Sequence, residues 1–240
     1  MTECVTDFRT SLQNPLCFSL DTGNETKGIR LVRTAGPLVG MVKIGPIPYL
    51  AFGPRALEVA DELGIPLFLD LKWHDIPNTI QRVIENLPSS IRMVTIHATG
   101  GPSMIAAARN ACESRGTARP LLIAVTALTH LTPDEISMIG FKSRWDMVKN
   151  LGTMALDAGA DGLVLSPEEL RPARGLWKNR PFLVTPGIRF GNEAIPLDDQ
   201  HFSGTPAEAL RDGSDLLVVG RPILLATDPV EAVRTILSTF

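Results

Sequence analysis

The sequence predicts an α/β fold, a single (β/α)8 TIM barrel with parallel strands, with residues 1–240 as one domain. Three observations predict it. Short apolar runs recur about eight times with helix-length stretches between them, the rhythm of strand-then-helix units closing into a barrel. The runs are continuous rather than alternating, as suits strands covered on both faces. No linker, low-complexity tract or charge block divides the chain.

In order, the strand candidates are Leu16–Leu20, Met41–Ile44, Leu67–Leu71, Met93–Ile96, Leu121–Val125, Leu163–Leu165, Phe182–Val184 and Leu216–Val219. Amphipathic stretches at Arg55–Leu63, Thr79–Leu87, Ser103–Ser114 and Trp145–Ala158 read as helices between them. Gly64, Gly116, Gly159 and Gly213 stand where helices should stop. A doubly wound open sheet is the alternative. It would more often show a glycine-rich fingerprint after the first strand, whereas Leu20-Asp-Thr-Gly-Asn24 offers one acid and one glycine.

Bulk properties exclude several functions. A net charge of −3 argues against a nucleic-acid binder, which usually carries a basic surface. An anionic ligand must then be caught by a few local arginines and lysines. Cys4, Cys17 and Cys112 are scattered, which fits a reducing cytosol and gives neither a disulfide framework nor metal-ligand spacing. Met1-Thr-Glu-Cys4 lacks the basic and apolar regions of a secretory signal, and no apolar run is long enough to span a bilayer. The expectation is a cytoplasmic protein with no membrane and no nucleic-acid partner.

Barrel enzymes work at the C-terminal ends of their strands. Asp21, Lys43, Asp70, Lys72, His97, Thr126, Thr129, Arg189 and Arg221 all lie at or just beyond such ends. Polar groups should therefore gather at one end of nearly every strand. The densest case is Leu67-Phe-Leu-Asp-Leu-Lys-Trp-His-Asp-Ile-Pro-Asn-Thr79. Asp70 and Lys72, two apart on a strand, project to one side, and Asp75 follows before Pro77 opens a helix. Buried charges are heavily penalised unless paired, so this run is either a structural ion pair or an active site, and its length favours the site. Gly220-Arg221 after the eighth strand and the Pro186–Arg189 turn after the seventh suit phosphate, which barrels often bind there. Between them, residues 189–204 are long, polar and without periodicity, the pattern of a lid. His74 and His97 lack a metal-binding spacing and read as structural.

The run D-x-K-x-x-D-I-P-x-T resembles the orotidine 5′-phosphate decarboxylase family. So do Phe18-Ser-Leu-Asp21, Lys43-Ile-Gly45, Ile96-His-Ala-Thr-Gly-Gly101, Leu122–Thr129, Val184-Thr-Pro-Gly-Ile-Arg189 and Val218-Val-Gly-Arg-Pro222, in matching order over nearly the whole chain. The resemblance implies decarboxylation of orotidine 5′-monophosphate to UMP and CO2. It implies an alternating array Lys43–Asp70–Lys72–Asp75, with Lys72 protonating the C6 carbanion. Substrate contacts are implied for Asp21, Lys43, Ile76, Thr79, Thr129, Arg189, Gln200, Gly220 and Arg221. It also implies a homodimer with shared sites, in which Asp75, Ile76 and Thr79 enter the partner's cleft.

No thiamine, pyridoxal or flavin motif is visible, and Lys43 and Lys72 would fill the space of a divalent ion, so neither cofactor nor metal is expected. Two alternatives stay open: a metal-dependent phosphosugar decarboxylase or synthase on the same barrel, and a catalytically silent nucleotide-binding barrel.

Overall fold

A computed structural model of the chain describes residues 2–189 and 204–240. Eight parallel strands close into a barrel in sequence order. They are β1 (Leu16–Ser19), β2 (Met41–Ile44), β3 (Leu67–Trp73), β4 (Ile91–His97), β5 (Leu121–Val125), β6 (Gly162–Val164), β7 (Phe182–Thr185) and β8 (Leu216–Val219). The ring shuts where Leu16 of β1 pairs with Leu217 of β8, which rules out the open sheet. At least one helix lies in every connection between consecutive strands.

The continuous apolar runs are explained by two cores, one on each side of the barrel wall. Outward residues such as Phe18, Val42, Leu69, Val94, Leu122 and Leu183 meet the helices. Inward residues, including Cys17, Met41, Phe68, Met93, Ile123, Phe182 and Leu216, fill the barrel's centre. Period-two alternation separates the two sets.

The amphipathic stretches form helices Arg55–Glu62, Pro77–Glu85, Gly101–Ser114 and Arg144–Asp157. The second starts two residues before the expected Thr79, because Pro77 sits at the first helical position, where its fixed φ is already helical. All four expected helix stops have glycine at positive φ. At Gly159 the Ala160 N–H reaches Ala155 O and the Gly159 N–H reaches Leu156 O, the paired bonds that satisfy a helix's last carbonyls.

Helix Thr2–Ser11, which the apolar pattern did not reveal, closes the floor of the barrel. Val5 and Phe8 pack into the inward core, with Phe8 edge-on to Phe182 at 5.6 Å. Arg9 reaches Asp215 at 2.9 Å, and Asp215 also accepts the Leu183 N–H. Asp161 likewise accepts the Leu122 N–H at 2.8 Å while paired to Arg109 and Arg119. These carboxylates satisfy strand-start amides at the floor, leaving the opposite rim available for chemistry.

Candidate active site

At the level of the charged cluster, the inward strand positions divide the upper barrel into two unlike halves. On β1 to β4 these positions are Ser19, Lys43, Asp70 and Thr95, all of them polar and buried. On β5 to β8 they are Val125, Val164, Val184 and Val218. On this half the polar groups expected at the strand ends lie just beyond the strands, as Thr129, Arg189 and Arg221, and the inward strand positions form a valine wall. A cleft of about 570 Å³ opens between the halves. All eight positions except Thr95, which stands behind Asp70, line it. A charged face opposite an apolar one lowers the local dielectric, which strengthens every electrostatic interaction across the cleft.

Asp70 is the centre of the charged face. Its Oδ2 lies 3.0 Å from Lys43 Nζ and 2.9 Å from Lys72 Nζ. Its Oδ1 accepts from Lys72 Nζ at 3.0 Å and from the Thr95 hydroxyl at 2.8 Å. Simple alternation along β3 does not account for this geometry. Between Leu69 and Trp73 the pairing with β4 shifts register, and Lys72 has φ 49°, left-handed for a residue with a side chain. The bulge folds Lys72 back over Asp70, and its displaced N–H finds the Thr95 hydroxyl at 3.0 Å. Bulges commonly re-aim a side chain beside an active site.

Burial pushes the Asp70 carboxyl up, but Lys43 and then Lys72 outweigh it and leave it well below the usual carboxylate range. Burial likewise pulls the Lys43 ammonium down, and Asp70 and Asp21 reverse that and raise it. Cys17, directly beneath, is pushed up by burial and stays a thiol. The site therefore holds a fixed carboxylate between two ammonium groups.

Asp21 continues the polar face. Its Oδ2 accepts from Ser19 Oγ at 2.7 Å, and its Oδ1 is 3.9 Å from Lys43 Nζ. With its side chain 46% exposed, it can accept further hydrogen bonds from a ligand's hydroxyls. Gly220 lies beside it: a Cβ there would be in ordinary contact with Asp21 Oδ2 at 3.5 Å.

Arg189 and Arg221 line the cleft with Gly187 and Gly220, together with Thr129. Gly187, at φ 79°, makes the turn that delivers Arg189. Ile188 and Gly204 form a β-bridge, and the Arg189 N–H donates to Gly204 O at 3.0 Å. The described residues on either side of 190–203 are thus joined to each other; the expected lid, Gln200 included, lies outside the described residues.

The remaining candidates stay apart from this cleft within one chain. Asp75 and Ile76 line a separate surface recess with His74, Pro77, Thr99 and Gly100. Asp75 Oδ1 accepts the Ile76 N–H at 2.7 Å, Ile76 is 65% exposed, and Thr79 follows in the first turn of the helix beginning at Pro77. The array thus holds three of its four expected members within one chain. His74 and His97 stack at 5.8 Å. Burial, then the neighbouring His74 and Lys72, holds His97 below the usual imidazole range. Thr126 is fully buried rather than at the cleft. Among the described residues, no group of three His, Cys, Asp or Glu could hold a metal ion.

Residue-type reasoning missed Ser19, Thr95, Arg144 and Glu169. Arg144 donates to Leu128 O at 3.0 Å and to Glu169 at 2.7 Å, bracing the loop that presents Thr129. Strand alternation could have found Ser19, two before Asp21. Thr95 and the Arg144–Glu169 pair need the three-dimensional neighbours.

Residues 14–236 match the family described as Orotidine 5′-phosphate decarboxylase / HUMPS family. A protein of Paramagnetospirillum magneticum named orotidine 5′-phosphate decarboxylase is 42% identical over 226 residues, covering 91% of this chain and 95% of its own length. One of that name from Neisseria gonorrhoeae is 39% identical over 239 residues, covering 98% and 96%. The crystal structure of the orotidine 5′-phosphate decarboxylase from Lactobacillus acidophilus superposes with a TM-score of 0.82 at 33% identity, over 95% of this chain and 99% of that one.

Proposed function

Since the chain belongs to the orotidine 5′-phosphate decarboxylase / HUMPS family, we propose that it decarboxylates orotidine 5′-monophosphate to UMP and CO2. The observation that carries this reading is the Lys43–Asp70–Lys72 array, facing valines in one cleft that two arginines also line. Relatives about 40% identical over almost their whole length, all named for this one reaction, favour it over phosphosugar chemistry or silent binding.

The arrangement suggests a division of labour. Arg189 and Arg221, with the glycine backbone beside them, hold the phosphate, because guanidinium groups match its geometry with paired hydrogen bonds. Asp21 accepts ribose hydroxyls, and Thr129 meets the pyrimidine edge. The ring lies against the valine wall with C6 toward Lys72.

When the C6–carboxylate bond breaks, CO2 departs and the electron pair stays on C6 in the plane of the ring, where no π-system spreads it. The Lys72 ammonium stabilises that pair and transfers a proton to C6, and solvent restores the ammonium afterwards. Asp70 fixes Lys72 and lies where the leaving carboxylate would approach. General-acid catalysis is worth about 10²–10⁴, roughly 3–5 kcal/mol. Very slow uncatalysed reactions need up to about 23 kcal/mol of barrier lowering. The rest must come from charge already in place and from phosphate binding energy directed at the reacting end. The arginines therefore serve catalysis as well as affinity.

The same reading gives a cytoplasmic homodimer in which Asp75, Ile76 and Thr79 complete the partner's cleft. Its support is that Asp75 and Ile76 sit on an exposed turn and Thr79 in the first turn of the helix that follows, none of them in their own chain's cleft. The test is turnover of orotidine 5′-monophosphate by the purified protein, with and without chelator. UMP formation unaffected by EDTA is the expected result; loss of activity restored by magnesium would transfer the chain to the phosphosugar alternative.

A further inference from the structure

Asp70 and Lys72 share one partner outside their own strand. Thr95, on the neighbouring β4, is fully buried, and its hydroxyl does two jobs. It donates to Asp70 Oδ1 at 2.8 Å and accepts the Lys72 backbone N–H at 3.0 Å. A hydroxyl can do both at once because it carries one donor and two acceptor sites. No other described side chain touches both residues in this way.

Two costs make that hydroxyl necessary. The bulge in β3 removes Lys72 from the ladder, and a buried amide without a partner is strongly unfavourable. The left-handed backbone at Lys72 is itself disfavoured for a residue with a Cβ and persists only where its surroundings hold it. Thr95 meets both needs while fixing the rotation of the Asp70 carboxylate, leaving Oδ2 for the two ammonium groups.

We propose that Thr95 is a positioning residue for the decarboxylation, holding Asp70 and the backbone of Lys72 in register so that the Lys72 ammonium is aimed into the cleft. This rests on the decarboxylase reading above. It assigns the site's geometry to a residue on a different strand from the D-x-K motif. Every other inward residue at that level of β1 to β3 lines the cleft, whereas Thr95 lies behind Asp70. Its effect must therefore pass through the two residues it bonds.

The experiment compares Thr95→Val and Thr95→Ser with wild type for kcat, KM and UMP affinity. Valine keeps the β-branched shape and removes the hydroxyl; serine keeps the hydroxyl and loses a methyl. Losing a charge-assisted hydrogen bond that matters chiefly in the transition state should lower kcat roughly ten- to hundredfold in Thr95→Val, with KM and UMP affinity within about threefold. Thr95→Ser should stay within about threefold of wild type in all three. If Thr95→Val fails to fold, Thr95→Ala removes the same hydroxyl without placing a methyl where it stood. Wild-type kcat in the valine or alanine variant overturns the proposal. So does a serine variant as slow as valine, which would make shape rather than the hydroxyl the cause. If wild type itself shows no turnover of orotidine 5′-monophosphate, the decarboxylase reading fails; active wild type with indifferent Thr95 variants sinks only the role of Thr95.

Discussion

Replacing Asp70 by asparagine removes one negative charge and almost no volume, and its cost can be worked from the geometry. Lys43 Nζ lies 3.0 Å from Asp70 Oδ2, and its side chain is 11% exposed. At an effective dielectric near 20, that pair attracts by about 5 kcal/mol. Breaking a buried pair by removing one partner typically costs about 3–5 kcal/mol, because the surviving charge is left stranded. The Lys72 pair adds little, since its side chain is 36% exposed and can turn to water. Asp21, 3.9 Å from Lys43 and half-exposed, compensates weakly. Asp70→Asn should therefore lower Tm by on the order of 10 °C for a chain of this size, and turnover should vanish.

The pH dependence sharpens this prediction. In wild type, Lys43 is held above the usual ammonium range, since Asp70 and Asp21 overcome burial. Its contribution to stability is present below about pH 10.4 and is lost as pH rises through the higher folded value. Without Asp70, burial dominates and Lys43 holds its proton poorly, so the variant recovers stability as pH rises from 7 toward 10. Asp70 itself is held low, so its contribution is present above about pH 4 and fades below that. Thermal melts of both proteins across this range should show the gap widest near neutrality and closing toward pH 10. A gap near zero at pH 7, or one constant up to pH 10, would mean that the array is hydrated and its charges are not coupled by burial.

Three further outcomes are expected. Lys72→Ala should abolish UMP formation while UMP still binds, which calorimetry on the purified variant can check; residual turnover above a small percentage removes Lys72 as the proton donor. Arg221→Ala should lower kcat/KM for the nucleotide by on the order of 10²-fold and leave decarboxylation of orotidine, which lacks the phosphate, almost unchanged; equal losses on both would take Arg221 away from the phosphate. Inactive Lys72→Ala and Asp75→Asn proteins, mixed and allowed to exchange subunits, should regain about a quarter of wild-type activity, since a two-fold dimer places both lesions in one site and none in the other. Activity unchanged from the parents despite demonstrated exchange would return Asp75 to its own chain.

The barrel was legible because covered parallel strands have a distinctive pattern. Three strands, β2, β5 and β8, match the expected limits, while β3 extends two residues further to Trp73. That extension is a bulge, which no apolar pattern encodes, since it arises from the fit of β3 against β4. Asp70 and Lys72 were correctly placed together, though through Lys72's left-handed backbone rather than by alternation alone. Thr95 was invisible for a related reason: threonine in a strand is ordinary, and only its neighbours make it consequential. Helix Thr2–Ser11 was missed because most of it is polar and, among its described side chains, Val5 and Phe8 alone are buried.

That helix has a consequence for how the chain comes into being on the ribosome. Arg9 and its partner Asp215 are separated by 206 positions, and Phe8 meets Phe182. The segment that seals the floor is translated early, while the surfaces that receive it emerge among the last. Until β7 and β8 are made, the core that receives Val5 and Phe8 lacks Phe182, Val184, Leu216 and Val218, and β1 has no second neighbour. Such long-range closure makes folding slow and leaves an unpaired strand edge exposed in the meantime. A nascent chain halted before Leu216 is thus an open sheet with a loose apolar plug, a species that chaperones would meet and that the finished enzyme conceals.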